Sequence, residues 1–372
     1  MAVSRINEAG LNVNQYGNRN LIINGGMQVA QRGTSKTLVN GQVNFCTDRW
    51  NLYYAGFDNF AGTLTQESDG PDGFANSLKI TTTTAESAIA SDEYAYIAQL
   101  VEAQNLQQLA YGTSAAKQLT LSFYVKSSIT GTFACGIFKP DNTAQIHNLT
   151  YTIDAANTWE RKTLTFAANT LSGGAIDNNN GIGFYVSWHI AAGSSYKGGG
   201  STSGWSAYAQ AKWADGLGTD AVMTTTNATF FLTGCQLEVG DTATDFEHRS
   251  IGQELALCQR YYYLLQEAGL ANDVNETGIT CCSYGANAFF GTVYFPVTMR
   301  ATPTMSAGGS WATRNNNNEA LPSGFGGLQR ASPRSVLITG AATSVSAGDA
   351  FWLEPFSGTN PNTAFMNFSS EL

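Results

Sequence analysis

Short runs of alternating apolar and polar residues recur along the chain between residues 21 and 247. In residues 119–126, leucine, phenylalanine and valine alternate with polar residues, and residues 182–190 repeat the pattern with Tyr185 and His189 opposite the apolar row. A period of two is typical of strands with one buried face. No amphipathic helix intervenes, so the pattern predicts antiparallel sheets. Gly-, Pro-, Asp- and Asn-rich clusters predict turns at 70–73, 140–142, 172–174 and 177–181.

A different period appears in residues 244–265, where the apolar spacing is that of a helix. Ser250 and Gln253 stand three residues apart, as in a capping box, and Gly269 offers a C-terminal stop. We expect a connecting helix over residues 249–269. Its apolar stripe either packs around a homotrimer axis or packs within its own chain as a hinge. The stripe residues recur at intervals of four, three, four and three: Ile251, Leu255, Cys258, Tyr262 and Leu265.

Strand patterns resume after this helix, in residues 288–297, 335–339, 350–355 and 363–368. The sequence therefore predicts an all-β fold class: two antiparallel β-sandwich, jelly-roll-like domains joined by a short α-helix. The first domain spans residues 21–248 and the second spans 270–372, which is about the size of a compact sandwich. Residues 1–20 are polar, so we expect either a disordered arm or an extended N-terminal arm that orders on a partner.

The charge and cysteine patterns exclude several kinds of partner. Charged residues make up 13% of the chain and the net charge is −9, which argues against a nucleic-acid partner because a phosphate backbone requires clustered Lys and Arg. No apolar segment is long enough to span a bilayer, so we expect no membrane insertion. The six cysteines have no metal-ligand spacing. We therefore predict no metal site, no cofactor and assembly in a reducing compartment.

The sequence also lacks a catalytic constellation, so we predict no catalytic residues. There is no G-x-S-x-G elbow, and only three histidines are present. The densest acidic group, formed by Glu238, Asp241, Asp245 and Glu247, is better explained as a solvated turn than as the paired acids of a glycosidase. Residues 177–181 carry oxygen ligands that suit a structural Ca²⁺, although an Asn-Gly turn is the stronger interpretation.

Two stretches have the flat rings and polar groups that glycan binding requires. The first is the Gly- and Ser-rich loop 188–213, although Trp188 is in phase with a core row and Trp205 would also suit a core lid. The second lies in the C-terminal domain, where Arg and Asn suit acidic or phosphorylated sugars, with a solvated surface as the alternative. The candidates are Tyr196, Trp205, Tyr208 and Trp213 in the first stretch, and Trp311, Arg314, the asparagines 315–318, Arg330 and Arg334 in the second.

Residues 18–33, followed by 47–50, are similar to the opening of a jelly-roll domain common in phage tail proteins, and residues 230–263 resemble its last strand and the helix after it. Residues 295–304 and 365–372 are similar to the matching C-terminal module. The chain thus resembles a phage tail fibre or receptor-binding protein with a carbohydrate-binding-module-like fold. The motif residues look like fold determinants rather than ligand contacts.

This resemblance implies a place in the virion tail after assembly in the host cytoplasm. It also implies a homotrimer, attachment to other tail proteins through the N-terminal arm, and binding of host surface polysaccharide or lipopolysaccharide. It supplies no catalytic residues. Two alternatives stay open. A tail-borne glycan depolymerase requires paired carboxylates in a groove, whereas a purely structural tail adaptor or capsid decoration protein would have no glycan affinity.

Overall fold

The structure is a computed structural model of the chain. It describes residues 18–266, 277–285, 288–314, 319–320, 322–342, 345–355 and 363–372, and the side chains of 314, 319–324 and 342 are outside that description. Strands far outnumber helices among the described residues, and the strands form antiparallel sheets, which confirms the predicted all-β fold class. Of the predicted N-terminal arm, only the last three residues are among those described.

Strands follow one another closely along the described chain. Helices α1 (Ala221–Thr224) and α2 (Ile251–Gln259) are short, as are the 3-10 turns Ala103–Leu109, Ser194–Tyr196 and Gln210–Lys212. The strands are β1 (Ser35–Thr37), β2 (Val43–Phe45), β3 (Asn51–Ala55), β4 (Ala61–Glu67), β5 (Ser77–Thr84), β6 (Tyr94–Glu102), β7 (Leu119–Ser127), β8 (Gly131–Lys139), β9 (Gln145–Ile153), β10 (Glu160–Phe166), β11 (Ile182–Ala192), β12 (Ser206–Ala207), β13 (Thr229–Val239), β14 (Tyr262–Gln266), β15 (Ile279–Gly285), β16 (Ala288–Tyr294), β17 (Thr304–Gly308), β18 (Trp311–Arg314), β19 (Glu319–Ala320), β20 (Pro322–Gln329), β21 (Ser335–Ala342), β22 (Ala350–Pro355) and β23 (Phe365–Ser369).

The chain divides after Glu254, inside α2, into two compact units. The first unit is a sandwich of a back sheet, ordered β1-β4-β5-β13-β7-β10, and a front sheet, ordered β12-β9-β8-β11-β6-β3-β2. Their inner side chains share one core, in which the Trp188 ring centroid lies 5.3 Å from that of Trp50 and 5.6 Å from that of Phe123. The alternating runs 119–126 and 182–190 are strands β7 and β11, as predicted.

The second unit has its own core and its own two sheets. A small sheet is ordered β14-β23-β17, and a large sheet is ordered β19-β18-β22-β15-β16-β21-β20. The ring centroids of Phe368, in the small sheet, and Phe295 are 5.1 Å apart. Those of Phe289 and Phe351, in the large sheet, are 5.7 Å apart. Along β15 and β16 every second residue is buried, so the large sheet has one core face and one outer face.

Helix α2 begins as predicted and ends early. The Gln253 amide donates to the Ser250 hydroxyl (3.3 Å) and the Ser250 amide donates to Gln253 Oε1 (3.2 Å), which is the predicted capping box. The predicted extension to residue 269 is wrong, because Tyr262 and Leu265 lie on β14, a strand that pairs with β23. Consecutive tyrosines favour strand over helix, and pairing with β23 gives the backbone its hydrogen-bond partners.

Only three of the five predicted stripe residues are therefore helical. Cys258 is buried and Leu255 is half-buried, whereas the Ile251 side chain is 59% exposed. A nine-residue helix is about 14 Å long, little more than one heptad, which is too short to hold a coiled coil. The two-heptad stripe does not exist, so a homotrimer cannot rest on it.

The segment 18–33 is fixed by buried asparagines. The Asn24 side-chain amide donates to the carbonyls of Val29 (2.8 Å) and Asp48 (3.0 Å), and its Oδ1 accepts from the amides of Gln28 (2.8 Å) and Val29 (3.0 Å). All four hydrogen bonds are made by a side chain with no exposed surface. Asn24 is thus a fold determinant, because it pairs backbone groups that no strand partner reaches.

Two further side chains tie this segment to the end of the first unit. Asn20 donates to the Cys235 carbonyl (3.0 Å) and accepts from the Leu237 amide (3.1 Å), both on β13. Arg249 donates to the Ile22 carbonyl (3.0 Å) and forms an ion pair with Glu254 at 3.5 Å. The stretches that carry the resemblance, 18–33 and 230–263, therefore contact each other directly.

We expect Asn24→Ala to destabilise the first unit by about 3–5 kcal/mol, because it leaves buried donors and acceptors unpaired. Urea unfolding of the full chain, followed by tryptophan fluorescence, measures this loss.

Asn157→Ala is the matched control. Asn157 has nearly the same backbone φ as Asn24 (58° against 56°) but is exposed and makes no side-chain hydrogen bond with the described residues. Both variants incur the same left-handed backbone cost, so a loss of similar size in the two would contradict the role given to the buried amide.

Candidate binding face on the first unit

The front sheet carries aromatic rings on the face turned away from the core. On β6, Ala95 and Ile97 enter the core, so the alternate residues Tyr94 and Tyr96 point outward and stay half-buried. Tyr53 of β3 lies opposite Tyr96 in the strand register. The Tyr53 ring centroid lies 5.8 Å from both of the others, and the rings of Tyr94 and Tyr96 are nearly parallel, 10° apart.

Two more rings extend this surface across the sheet. Tyr185 of β11 lies opposite Phe138 of β8, and their ring centroids are 5.6 Å apart. Both are half-buried. We call the outward aromatic surface the tyrosine face; it consists of Tyr53, Tyr94, Tyr96, Phe138 and Tyr185.

The loop after β11 adds three of the predicted candidates to this face. The ring centroids of Tyr196 and Tyr94 are 4.4 Å apart, and those of Tyr208 and Phe138 are 4.9 Å apart. Trp213 packs edge-on to Tyr96 at 5.2 Å but is only 8% exposed. Tyr196 and Tyr208 therefore border the face, whereas Trp213 packs against the rings of Tyr96 and Phe138 and is almost fully buried among them.

Carboxylates hold this loop in place. Asp215, which is buried, accepts from the backbone amides of Gly198 (2.9 Å) and Ser201 (2.6 Å). Asp220 accepts from the Ala192 amide and from Lys197 Nζ, each at 2.9 Å. Hydrogen bonds to backbone amides fix the loop where it leaves and rejoins the sheet, so the rings that it contributes are preorganised.

The remaining candidate of this loop, Trp205, lies elsewhere. Its indole donates to the Ala167 carbonyl (2.7 Å), and its ring packs on Tyr111 (5.5 Å) and Phe184 (6.3 Å), both buried in the core. This favours the core-lid interpretation. Trp188 is fully buried, as its position in the apolar row indicates.

The candidates of the second domain are not brought together as one site. Trp311 is 3% exposed, packs on Phe325 and donates its indole N–H to the Gly308 carbonyl (2.9 Å), so it belongs to the core. Arg314 is on β18 with its side chain outside the description, and residues 315–318 lie outside the described residues. Arg330 is exposed in the turn after β20.

Sequence reasoning missed most of the tyrosine face. Tyr53, Tyr94, Tyr96 and Phe138 were not candidates, although Tyr-Ala-Tyr at 94–96 is itself an alternating signal. Tyr185 was placed correctly on the face opposite the core row. Which of these rings meet depends on strand pairing between distant segments, and one sequence does not reveal that pairing.

The tyrosine face is uncharged near neutral pH. Burial raises the pKa of Tyr94 and of Tyr96 well above that of a free phenol, and the neighbouring tyrosines add a smaller increase. Lys197 and Asp220 form an ion pair in the loop. Flat rings with neutral hydroxyls can stack on apolar faces of a ligand and exchange hydrogen bonds with its hydroxyls, but they cannot supply an acid–base pair.

Two members of the acidic group before α2 have structural roles. Glu238 is buried and accepts from the Thr244 amide (2.9 Å) and hydroxyl (2.7 Å). Glu247 accepts from the Asn20 amide (2.9 Å). These carboxylates close the turn and hold the N-terminal segment.

The 177–181 turn, considered above for Ca²⁺, is closed by its own side chains, because the Gly181 amide donates to Asn179 Oδ1 (2.7 Å). Nearby, the buried Lys139 ammonium donates to the carbonyls of Asp141, Thr143, Gly173 and Ala175. A protein cation thus fills a ring of carbonyls. Among the described residues, no group of three or more His, Cys, Asp and Glu side chains is arranged to hold a metal ion.

No helix in the described part of the chain is long and apolar enough to cross a membrane.

Comparisons with known proteins complete this picture. No family model and no curated protein matches the sequence. Solved structures that align include the enzymatically active domain of tailspike protein 4 of bacteriophage CBA120 (14% identity, TM-score 0.32, 59% of this chain and 21% of that one). A family 11 carbohydrate-binding module from Clostridium thermocellum aligns at 12% identity and TM-score 0.26 (58% and 99%). A tandem CBM22 domain from Paenibacillus barcinonensis Xyn10C aligns at 9% and 0.29 (96% and 100%).

TM-scores this low establish no relationship, and the chain spans only about a fifth of the tailspike domain. The β-sandwich fold rests on the sheets and cores described above. Any function must be inferred from the chain's own residues.

Burial lowers the pKa of His189, whose ring packs on Trp213, to about 3, and it lowers the pKa of His147, whose ring packs on Phe166, to about 4. Both imidazoles are neutral in the folded protein, whereas the unfolded chain binds protons below about pH 6.5. Stability is therefore lost as the pH falls from about 6.5, by about 1.4 kcal/mol per pH unit for each histidine, until the folded pKa is reached.

We expect His189→Gln to flatten this dependence between about pH 6 and pH 3, and His147→Gln to flatten it only down to about pH 4. Urea unfolding at a series of pH values measures both slopes, and values at pH 7.5 separate packing losses from proton linkage. Wild-type slopes in both variants would show that neither imidazole is held neutral by the fold.

Proposed function

We propose that this protein is a non-enzymatic glycan-binding component of a phage tail that grips the host surface through the tyrosine face. The observation that supports this most strongly is the group of half-exposed rings on one sheet, with Tyr53, Tyr94 and Tyr96 all within 6.2 Å of one another. Soluble chains rarely leave so many adjoining rings partly open to solvent without a binding role.

Sugar chemistry fits this surface. A pyranose has an apolar face of C–H groups that packs on an aromatic ring and a rim of hydroxyls that needs hydrogen-bond partners. The tyrosines provide both, because each ring ends in a neutral hydroxyl. A rigid sheet and a loop held by Asp215 keep the rings in position before binding, which lowers the entropic cost of association.

The proposal of binding without catalysis rests on how the chain uses its acids. A glycosidase needs two carboxylates facing each other across the sugar. Glu238, Glu247 and Asp215 instead accept backbone hydrogen bonds that hold turns and loops together. A tail-borne depolymerase is the competing proposal, and it predicts release of reducing sugar from the bound polysaccharide.

Placement on a phage tail rests on the sequence resemblance of residues 18–33 and 230–263. In this proposal residues 1–20 attach the fibre to other tail proteins, and the ligand is host polysaccharide or lipopolysaccharide. All six cysteines are free thiols, which suits assembly in the reducing host cytoplasm. A homotrimer would carry three copies of the face, and simultaneous engagement raises avidity by about 10²–10⁴ over a single site.

We expect Tyr53→Leu and Tyr94→Leu each to weaken glycan binding by about tenfold, because leucine keeps the apolar bulk but removes the flat ring and hydroxyl. The measurement is binding of the full chain to an array of bacterial surface polysaccharides and lipopolysaccharides, with an assay for reducing ends.

Tyr124→Leu is the matched control, since Tyr124 is also half-buried but lies on β7, in the back sheet of the same sandwich. Wild-type binding by both front-sheet variants would rule out the tyrosine face as the site. Absence of any bound glycan would favour the structural adaptor, and release of reducing ends would favour the depolymerase.

The homotrimer has its own test. We expect light scattering to give three times the 39.7 kDa chain mass, and Ile251→Asp to leave that mass unchanged, because one exposed helical residue contributes little to an interface. A monomeric wild type would end the trimer proposal. If the Ile251→Asp variant dissociates, α2 does lie in the trimer interface.

A further inference from the structure

The second unit has a groove on the outer face of its large sheet. Because alternate residues of β16 are buried, Phe290, Thr292 and Tyr294 face outward. A concavity of about 440 Å³ lies over this face, at the turn that joins β20 to β21. We call it the arginine groove; its lining includes Phe290, Thr292, Gln329, Arg330, Ser335 and Leu337.

Three neighbouring strands build the floor of the arginine groove. Thr292 of β16 is opposite Leu337 of β21, and Leu337 is opposite Gln329 of β20. The Phe290 side chain beside this row is 36% exposed. The floor therefore offers an aromatic ring, an aliphatic side chain, a hydroxyl and an amide, which is a mixed surface suited to a sugar ring and its hydroxyls.

The backbone at Arg330 adopts an uncommon conformation. Its φ is +46°, in the left-handed region that glycine or asparagine normally occupies. A rigid turn follows, because the Ser332 hydroxyl donates to the Ser335 carbonyl (3.0 Å) and accepts from the amides of Arg334 (3.2 Å) and Ser335 (3.1 Å). A strained backbone at a large charged residue points to a role for the side chain itself.

The Arg330 guanidinium has no protein partner in the described part of the chain. It is exposed, and it makes neither an ion pair nor a side-chain hydrogen bond there. By contrast, Arg300 of the same unit donates to the Ser370 (2.6 Å) and Glu371 (2.7 Å) carbonyls. Five N–H donors at the edge of the groove are therefore available to a ligand with paired oxygens.

We infer that the arginine groove binds an acidic sugar unit, with the carboxylate or phosphate of the sugar on Arg330 and its ring over Phe290. Thr292, Gln329 and Ser335 then exchange hydrogen bonds with the sugar hydroxyls. Guanidinium matches both acids through two parallel hydrogen bonds. The inference rests on the proposed function, since the ligand is again a glycan, but it assigns a second site with a different chemistry.

Charge selectivity distinguishes this site from the tyrosine face. The chain is acidic overall, with a net charge of −9, so long-range attraction does not bring an anion to the protein. Binding must come from the short-range contact with Arg330. Binding of an acidic glycan should therefore depend on Arg330, whereas binding of the same glycan with its acid group removed should not.

The test uses the full chain and an array of bacterial polysaccharides that carry uronate or phosphate groups. Each sample is printed beside its neutral counterpart, with carboxylates reduced to alcohols or phosphates removed, so the two acids are read separately. We expect at least one acidic sample to bind about tenfold more tightly than its counterpart, and Arg330→Gln to abolish that difference.

Arg330→Gly separates binding from folding. Glycine adopts positive φ without strain, so we expect this variant to unfold at the same or a higher temperature than wild type while losing the preference for acidic glycans. Arg334→Gln is the matched control, because it removes an exposed arginine from the same turn without lining the groove; it should bind as wild type.

The inference is overturned if no acidic sample binds better than its neutral counterpart, or if Arg330→Gln keeps the preference. Loss of the preference in Arg334→Gln as well would also overturn it, because it would indicate a diffuse charge effect. Loss of neutral binding in Tyr94→Leu concerns the tyrosine face alone, so failure of one site is distinguishable from failure of the other.

Discussion

The two-residue period of the front-sheet strands ties the tyrosine face to the core. On β6, Ala95 and Ile97 must enter the core, so Tyr94 and Tyr96 have no other place than the outer surface. A register slip of one residue would exchange the two rows, which the packing of the core forbids. The same rows that stabilise the sandwich therefore also fix the geometry of the rings that face solvent.

Much of the buried polar chemistry of the first unit is used for folding. Asn20 and Asn24 pair backbone groups that lack strand partners, and Arg249 joins the N-terminal segment to the end of the unit. Glu238 and Asp215 do the same for a turn and a loop. Sequence motifs can therefore resemble those of phage tail proteins without contacting a ligand, because these residues close the sandwich.

Local sequence patterns correctly predicted the elements that depend only on residues close together in the sequence. Alternation gave β7 and β11, and the Ser250–Gln253 spacing gave the capping box. The prediction failed where a distant strand decides the outcome: Tyr262 and Leu265 are helical by spacing but belong to β14, which pairs with β23 about a hundred residues later. Trp311 looked exposed in a polar stretch, yet it fills the second core. The tyrosine face was missed for the same reason, because Tyr53 meets Tyr96 only through strand pairing.

We propose that a glycan is held on the tyrosine face. Fluorine NMR of the full chain, with fluorotyrosine at its sixteen tyrosines, observes such contact directly when purified host polysaccharide is added and the signals are assigned by single Tyr→Phe variants. We expect the signals of Tyr53, Tyr94, Tyr96 and Tyr185 to shift together and to saturate at one ligand concentration. If these four signals stay in place while the signals of other tyrosines shift and saturate, the glycan binds elsewhere.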